Sequence, residues 1–228
     1  ISVTDRCNLR CVYCMPEEGI EPILQREVLT FEEVARLVRI FADLGIKKIR
    51  LTGGEPLARK DITDLIKGLA GVGGIEEVSL TTNGVLLSDY ADDLKGAGVN
   101  RLNISLDTLR EKRFMDITGR DLFRNVMDGI EKAKRARFSP IKLNVVVMRG
   151  INDDEILDFV DFSLSKGLVI RFIEFMKITP LWREEHFMAI EEVKSICERS
   201  FAMEKTGYEG PGPAEYYKIG CGVAGFIK

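Results

Sequence analysis

Short apolar segments alternate along this chain with stretches whose apolar residues recur at helical spacing. The strand candidates are residues 1–4, 48–52, 77–82, 101–107, 141–148 and 169–175. Strands that alternate with helices form right-handed β–α–β units, and these place the strands in a parallel sheet. Six units before residue 176 predict an α/β fold, either a doubly wound sheet or a partial (β/α)6 TIM-like barrel. Because a cysteine loop, and no glycine-rich dinucleotide fingerprint, follows the first strand, the partial barrel is favoured.

The clearest helix is predicted to begin after Thr30, which can cap it, with Glu33 as the capping-box partner three residues later. Gly45 is the expected end of this helix. One apolar stripe at helical spacing contains Val34, Leu37, Val38 and Phe41. Further helices are predicted over 88–97, 122–137, 153–166 and 187–201.

Polar residues alternate with apolar residues along the predicted strands, so the two sets lie on opposite faces of the sheet. The polar set includes Arg50, Thr52, Ser79, Thr81, Asn103, Ser105, Asp107, Lys142 and Asn144. A completely packed barrel fills its inner face with bulky apolar residues. A polar inner face indicates instead a cavity for a polar ligand, and the alternative is an open sheet with one solvated face.

The composition limits the classes of partner. A chain of 228 residues, 45% of them hydrophobic, is long enough for one large domain with its own core. Its net charge of -3 predicts no nucleic-acid partner and no membrane-surface partner. The absence of a long apolar run and of a signal peptide predicts a cytoplasmic location. The abrupt ends lead us to expect further residues on both sides.

Three of the five cysteines, Cys7, Cys11 and Cys14, form a C-x3-C-x2-C motif in the first loop. Three thiolates can bind three irons of a [4Fe–4S] cubane and leave the fourth iron without a protein ligand. An open metal position is how catalytic sites admit a substrate. The amino and carboxylate groups of S-adenosylmethionine (SAM) suit that position, and one electron would then release a 5′-deoxyadenosyl radical.

A structural zinc site and inert buried thiols are the two ordinary explanations of the motif. Zinc usually takes four protein ligands in two paired groups. The remaining candidates, Cys197, Cys221 and His186, stand alone in the sequence. Zinc is therefore disfavoured, and inert buried thiols are disfavoured because they would not normally cluster in a polar loop directly after a strand.

The cysteine motif, with Tyr13 before its last cysteine, resembles the signature of the radical SAM superfamily. A second resemblance is the segment 53–56, Gly-Gly-Glu-Pro, at the end of the second predicted strand. The resemblance implies that Cys7, Cys11 and Cys14 hold a [4Fe–4S] cluster and that the Tyr13 backbone lies near the adenine of SAM. It also implies that the glycine segment, through Gly54, holds the amino end of SAM.

Further segments are similar to the GTP 3′,8-cyclase family of molybdenum cofactor biosynthesis, namely 2–7, 14–16, 51–57, 80–84, 103–107, 142–146, 171–176 and 212–217. By position, the resemblance implies that SAM is contacted by Gly54, Ser105, Asn144 and Met176. It implies that GTP is contacted by Arg50, Thr81 and Lys142. Arginine and lysine suit a triphosphate, whereas solvent-exposed ion pairs are the alternative role for the two cations.

The resemblance implies a specific reaction. The radical abstracts hydrogen from the ribose C3′ of GTP, and C3′ then joins C8, giving (8S)-3′,8-cyclo-7,8-dihydroguanosine 5′-triphosphate. The implied partners are a flavodoxin- or ferredoxin-like electron donor and a downstream pyranopterin-forming enzyme. A homodimer is compatible with this interpretation.

The chain departs from the family towards its C-terminus. We predict a radical SAM partial barrel over 1–176 and the start of an incomplete C-terminal extension over 177–228. The family carries a second [4Fe–4S] cluster there, but Cys221 has no partner at the right spacing and Cys197 lies in a helical pattern typical of the core. We therefore expect impaired cyclase activity. Two alternatives stay open, another radical SAM enzyme that modifies a peptide or cofactor and a non-catalytic metal-binding module.

Overall fold

The structure, a computed structural model, describes residues 1–14, 21, 23–177, 182–207 and 212–228. Met15 and Pro16 of the cyclase-like segments lie outside the described residues, as do 178–181 and 208–211 of the predicted connecting segments. The helices are α1 (Phe31–Asp43), α2 (Ile62–Ala70), α3 (Leu87–Gly96), α4 (Glu111–Thr118), α5 (Phe123–Arg135), α6 (Ile156–Lys166) and α7 (Ile190–Ser200). The strands are β1 (Lys48–Leu51), β2 (Glu77–Thr82), β3 (Val99–Ser105), β4 (Ile141–Val147), β5 (Val169–Glu174), β6 (Met203–Lys205), β7 (Glu215–Ile219) and β8 (Gly222–Ile227).

The predicted capping box at the start of α1 is confirmed. The Glu33 backbone N–H donates to Thr30 Oγ1 at 3.3 Å, and the Thr30 N–H donates to the Glu33 carboxylate at 2.8 Å. The two interactions satisfy N–H groups that a helix start leaves unpaired. The predicted apolar stripe packs only in part, since Val34 and Val38 are buried but Leu37 and Phe41 are 38% and 37% exposed.

The other predicted helices correspond to α3, α5, α6 and α7. The first three residues predicted for α6, 153–155, form a separate 3-10 turn, and α7 begins at Ile190, three residues later than predicted. Helices α2 and α4, which have nine and eight residues, are not among the helices predicted from the sequence. Helices this short have fewer than three turns, so their apolar periodicity is a weak pattern.

The chain divides into two compact units. The first unit contains Ile1–Leu9, Gly19–Ile104 and Leu122–Ile141. Its strands β1, β2 and β3 are parallel, with Arg50 opposite Ser79 and Thr81 opposite Asn103. The predicted strand over 1–4 was wrong: only Ser2 forms a bridge, with Thr52. The regular ladder is interrupted after this bridge, because the Val3 carbonyl accepts from the Arg59 guanidinium and the Gly54 N–H donates instead to the Thr4 carbonyl at 2.6 Å.

The second unit contains Arg10–Glu18, Ser105–Asp121 and Lys142–Lys228. In this unit β4 and β5 are parallel, β8 joins β5 in parallel, and β7 pairs antiparallel with both β8 and β6. Strands β7 and β8 thus extend the sheet of β5, although they follow the proposed domain boundary at residue 176. That boundary stays a prediction.

Four of the nine polar residues of the predicted strands are buried, and the other five are half-buried. In the first unit Ser79 and Asn103 are 5% and 3% exposed, and in the second Asp107 and Lys142 are 7% and 3% exposed. The Ser79 hydroxyl donates to the Ile49 carbonyl, and the Asn103 amide donates to the Leu80 carbonyl. A solvated sheet face is therefore wrong for these four positions.

In the described part of the chain, no helix is both long and apolar enough to cross a membrane.

Candidate active site

The glycine segment after β1 packs directly against the chain that leads to Cys7. The Gly54 N–H donates to the Thr4 carbonyl at 2.6 Å, and the Glu55 N–H donates to the Arg6 carbonyl at 2.7 Å. A Cβ atom built on Gly53 would lie 2.5 Å from the Thr4 oxygen, and one on Gly54 would lie 2.3 Å from the Arg6 oxygen. These glycines are required because two backbone segments approach each other too closely for any side chain.

Glu55, the acidic residue of the same segment, is completely buried. Its carboxylate accepts the Leu57 N–H at 3.0 Å, the Thr82 hydroxyl at 2.8 Å and the Asn83 N–H at 2.7 Å. Burial raises the pKa of this carboxyl, and the three hydrogen bonds oppose that rise. Glu55 therefore joins the turn after β1 to the turn after β2.

Asn83, directly after β2, lies beside the first cysteine. Its Nδ2 donates to Asn8 Oδ1 at 2.7 Å and lies 3.8 Å from Cys7 Sγ. The Leu9 backbone N–H also donates to Cys7 Sγ, at 3.4 Å. The first unit thus directs two N–H donors at this sulfur.

The first unit also holds two of the residues predicted to bind GTP. Arg50 lies within β1 and Thr81 within β2, and both are half-buried. Together with Gly54, these residues lie on the segments at or next to the carboxyl ends of neighbouring parallel strands. Ligands of parallel α/β sheets bind at that edge.

The second unit anchors the loop that carries Cys11 and Cys14. The Cys14 N–H donates to the Cys11 carbonyl at 2.9 Å, which closes a tight turn. The Arg10 and Val12 N–H groups donate to carbonyls of Thr118 and Ile117, at the end of α4. The backbone of this loop is therefore held by a helix terminus.

Tyr13, between those two cysteines, is held by its side chain. Its hydroxyl donates to Asp107 Oδ2, and its ring packs edge-on against Phe175 with centroids 6.3 Å apart. The other oxygen of Asp107 accepts the Val146 N–H at 2.8 Å. Burial raises the pKa of the Asp107 carboxyl from 3.8 to about 6, and it also raises the pKa of the Tyr13 phenol. Asp107 thereby positions the aromatic residue of the cysteine motif.

The raised pKa of Asp107 predicts a pH-dependent stability. Between about pH 4 and pH 6 the folded protein keeps a proton on this carboxyl that the unfolded chain has released. The free energy of unfolding should therefore fall by about 3 kcal/mol as the pH rises through this range, and then level off. Urea unfolding from pH 4 to 7.5 should show this slope in the unaltered chain and lose most of it in Asp107→Asn.

The matched control for that experiment is Asp161→Asn, on the exposed side of α6 in the same unit. This variant should keep the slope of the unaltered chain. An unchanged slope in Asp107→Asn would contradict the assignment of the titration to Asp107.

The remaining residues predicted to bind SAM also lie in the second unit. Ser105 is the last residue of β3, Asn144 lies within β4, and Met176 follows β5 by two residues. The Asn144 carbonyl accepts the Leu106 N–H at 2.9 Å, so the residue after Ser105 is tied to Asn144. Met176 is 36% exposed.

Lys142 belongs to a group of polar side chains on three strands, β4, β5 and β7. Its Nζ donates to the Tyr216 hydroxyl at 2.8 Å, and Arg171 Nε donates to Asn144 Oδ1 at 2.8 Å. Arg171 lies opposite both Asn144 and Gly225, and Gly225 lies opposite Tyr216. A Cβ atom on Gly225 would lie 2.8 Å from the Tyr216 ring and 3.1 Å from Arg171 Cγ. This glycine leaves room for both larger side chains.

Several residues of these networks were not among the predicted site residues, namely Glu55, Asn83, Asp107, Arg171 and Tyr216. Arg171 could have been found, since it is a charge within an apolar strand, like Arg50 and Lys142. The pairing of Tyr13 with Asp107 joins residues 94 positions apart, and no local pattern signals it.

The family model of the radical SAM superfamily matches residues 1–163. The chain is 47% identical over 233 positions to a GTP 3′,8-cyclase of Syntrophomonas wolfei, and 48% identical over 230 positions to one of Thermodesulfovibrio yellowstonii. Both alignments cover all of this chain and 72% and 71% of the relatives. The chain belongs to the GTP 3′,8-cyclase family of radical SAM proteins. The relationship spans the whole of the sequence rather than its motifs alone.

Solved structures place this GTP 3′,8-cyclase family member in the same fold class. Streptococcus suis SuiB bound to its precursor peptide SuiA aligns with a TM-score of 0.72 at 18% identity, over 87% of this chain and 44% of that one. HydG, a maturase of the [FeFe]-hydrogenase, aligns with a TM-score of 0.65 at 18% identity, over 86% of this chain and 47% of that one. These likenesses confirm the α/β fold class of radical SAM enzymes.

Radical SAM proteins use a [4Fe–4S] cluster and SAM, and the donor set of this family member fits them. None of the three motif cysteines is in a disulfide; Cys7 and Cys11 are half-buried and Cys14 is exposed. The N–H groups directed at Cys7 Sγ are hydrogen-bond donors of the kind that a cluster thiolate accepts. Among the described residues, no three histidine, cysteine or acidic side chains are grouped around a single ion position. A cubane does not need such a group, since each thiolate binds a different iron.

Proposed function

We propose that this chain is a GTP 3′,8-cyclase that converts GTP to (8S)-3′,8-cyclo-7,8-dihydroguanosine 5′-triphosphate, the first step of molybdenum cofactor biosynthesis. The observation that carries the proposal is the 47–48% identity to relatives of that name over the whole chain. Cys7, Cys11 and Cys14 are the proposed cluster ligands. When bound, the cluster and SAM supply a 5′-deoxyadenosyl radical.

The proposed task of the protein is to hold SAM and GTP in a fixed relation. Gly54, Ser105, Asn144 and Met176, with the Tyr13 backbone, are the proposed SAM contacts. In the first unit Gly54 follows β1, and in the second unit Ser105 ends β3 and Met176 follows β5. Ligands of parallel sheets bind at such carboxyl ends of strands. The hydrogen bond from the Tyr13 hydroxyl to Asp107 supports the proposed role of Tyr13, because a held side chain restricts the movement of the Tyr13 backbone.

Arg50, Thr81 and Lys142 are the proposed GTP contacts. Lys142 gives the clearest physical support, since it is a positive charge within a strand and suits a triphosphate. Its ammonium donates to the Tyr216 hydroxyl, and in the proposal it also donates to a phosphate oxygen of GTP. Such charge-assisted hydrogen bonds are among the strong ones.

Replacing Lys142 by methionine tests this assignment. The methionine keeps most of the apolar stem but removes the charge, so the affinity for GTP should fall by about 10-fold to 100-fold. Isothermal titration of the folded variant with GTP measures the change. Lys218→Met, on the exposed face of β7 in the same unit, is the matched control and should bind as the unaltered chain does. Equal GTP affinity in both variants would contradict the role of Lys142.

The reaction itself is tested with GTP deuterated at the ribose C3′. After anaerobic reconstitution and reduction, the proposal predicts 5′-deoxyadenosine that carries deuterium and a matching amount of cyclised nucleotide. Formation of 5′-deoxyadenosine that neither depends on GTP nor gains deuterium would favour another radical SAM reaction, such as peptide modification.

The proposal extends to further parts of the predicted system. The resemblance implies an electron donor of the flavodoxin or ferredoxin type, a downstream pyranopterin-forming enzyme and, in the complete chain only, a second [4Fe–4S] cluster. A homodimer and a cytoplasmic location also belong to the proposal. Cys197 is a poor candidate for the second cluster, because it is fully buried and burial raises the pKa of its thiol to about 12. Cys221 is exposed but has no partner at the right spacing, so it is a poor candidate as well.

A further inference from the structure

The amide of Asn83 has a defined orientation. Its Oδ1 accepts the Val85 N–H at 3.1 Å, and its own backbone N–H donates to Glu55. Because a backbone N–H can meet only the oxygen of the amide, the Nδ2 group must be the one that faces Asn8 and Cys7. A neighbouring backbone N–H therefore fixes the orientation of the amide, and with it the N–H donor that faces the Cys7 sulfur.

The turn that carries Asn83 is fixed by a buried clamp, which we define as Glu55 with the Thr82 hydroxyl and the Asn83 N–H. The Thr82 oxygen also accepts the Gly84 N–H at 3.1 Å. With Thr82 2% exposed and Glu55 fully buried, the clamp has little freedom to move. Asn83 is thus held rigidly in front of the cysteine loop.

The second unit contains the same clamp and serves as an internal comparison. Glu155 accepts the Thr108 hydroxyl and the Leu109 N–H, both at 2.7 Å, and the Thr108 oxygen accepts the Arg110 N–H at 3.1 Å. The position of Asn83 is taken there by Leu109, whose side chain has no donor. The same hydrogen bonds form around Leu109 in the second unit, so they do not require an asparagine at this position.

We propose that Asn83 is a positioning residue for Cys7 and that its amide raises the reduction potential of the cluster by donating an N–H···S hydrogen bond. This inference rests on the proposed role of Cys7 as a cluster ligand. A donor at a ligand sulfur stabilises the extra negative charge of the reduced cluster, which makes reduction easier. The link to Asn8 holds the loop at the same time.

Asn83→Leu is the direct test, because leucine occupies the equivalent position in the second clamp. The reconstituted chain is titrated with a reductant without SAM, and the reduced cluster is followed by electron paramagnetic resonance. The ratio of reduced to oxidised cluster at a given potential should fall by about tenfold, a shift of 59 mV for one electron. Asn100→Leu is the matched control, because the Asn100 amide oxygen accepts the Val78 N–H at the other end of β2. The reduction potential of the cluster should not change in this variant.

Asn83→Ser provides a second variant. Its hydroxyl can still accept the Val85 N–H but is too short to reach Cys7, so the same fall is expected. A potential equal to that of the unaltered chain in the loaded fraction of either variant overturns the inference and leaves Asn83 a structural residue. Full cluster loading in Cys7→Ser would instead overturn the proposed ligand, which separates the two failures.

Discussion

Replacing any one of Cys7, Cys11 and Cys14 by serine is expected to reduce 5′-deoxyadenosine formation to background. Each thiolate is proposed to bind one iron of the cubane, and a serine hydroxyl is a poor substitute because it stays protonated near neutral pH. Iron and sulfide content after anaerobic reconstitution, followed by chromatography of the nucleoside product, measures both losses. No other variant proposed for this chain should have so large an effect on activity.

The chain contains its own control for the cysteine variants. Cys221 is exposed and lies outside the motif, so Cys221→Ser should retain cluster and activity. Unfolding measurements on each variant exclude a general loss of structure. Full iron content in any of the three motif variants would contradict the ligand assignment for that residue.

Gly54→Ala is expected to be the most disruptive of the single-methyl changes. The new Cβ would lie 2.3 Å from the Arg6 carbonyl oxygen and 2.6 Å from its carbon. Backbone atoms cannot yield as the end of a flexible side chain does, so the chain leading to Cys7 must shift. We expect a loss of about 3 kcal/mol in the free energy of unfolding, together with poor cluster loading. Urea unfolding and iron content measure the two effects.

Gly68→Ala is the matched control, because the same methyl group is added in the interior of α2 with no atom within 4 Å. Replacing a helical glycine by alanine should stabilise the chain by about 0.5–1 kcal/mol. The two substitutions should therefore change stability in opposite directions. If Gly54→Ala were as stable as Gly68→Ala, the close approach at the glycine segment would be refuted.

Local patterns of the sequence were sufficient for much of the fold. The alternation of strands and helices, the Thr30–Glu33 capping box and the C-x3-C-x2-C spacing depend on residues close together in the chain. Strands β6, β7 and β8 were harder to predict. Strand β6 has only three residues, and the glycines and the alanine of β8 hide the alternation of polar and apolar side chains that identifies a strand. The place of β8 beside β5 depends on long-range pairing alone.

The candidate site was only partly predictable for the same reason. Glu55 contacts Thr82 across 27 positions, and Lys142 contacts Tyr216 across 74. Such contacts arise only after the strands are placed. The glycine segment shows a further limit, since the pattern suggested close approach to a ligand, whereas the backbone that approaches most closely in the first unit is that of residues 4–6.

The central claim is tested most directly by electron paramagnetic resonance of the anaerobically reconstituted and reduced chain, recorded with and without SAM. An open iron position predicts a cubane signal whose g-values shift when SAM is added, because SAM becomes a ligand of that iron. The Cys221→Ser variant should show the same shift. A folded chain that holds no cluster, or a cluster whose signal is indifferent to SAM, would contradict the account.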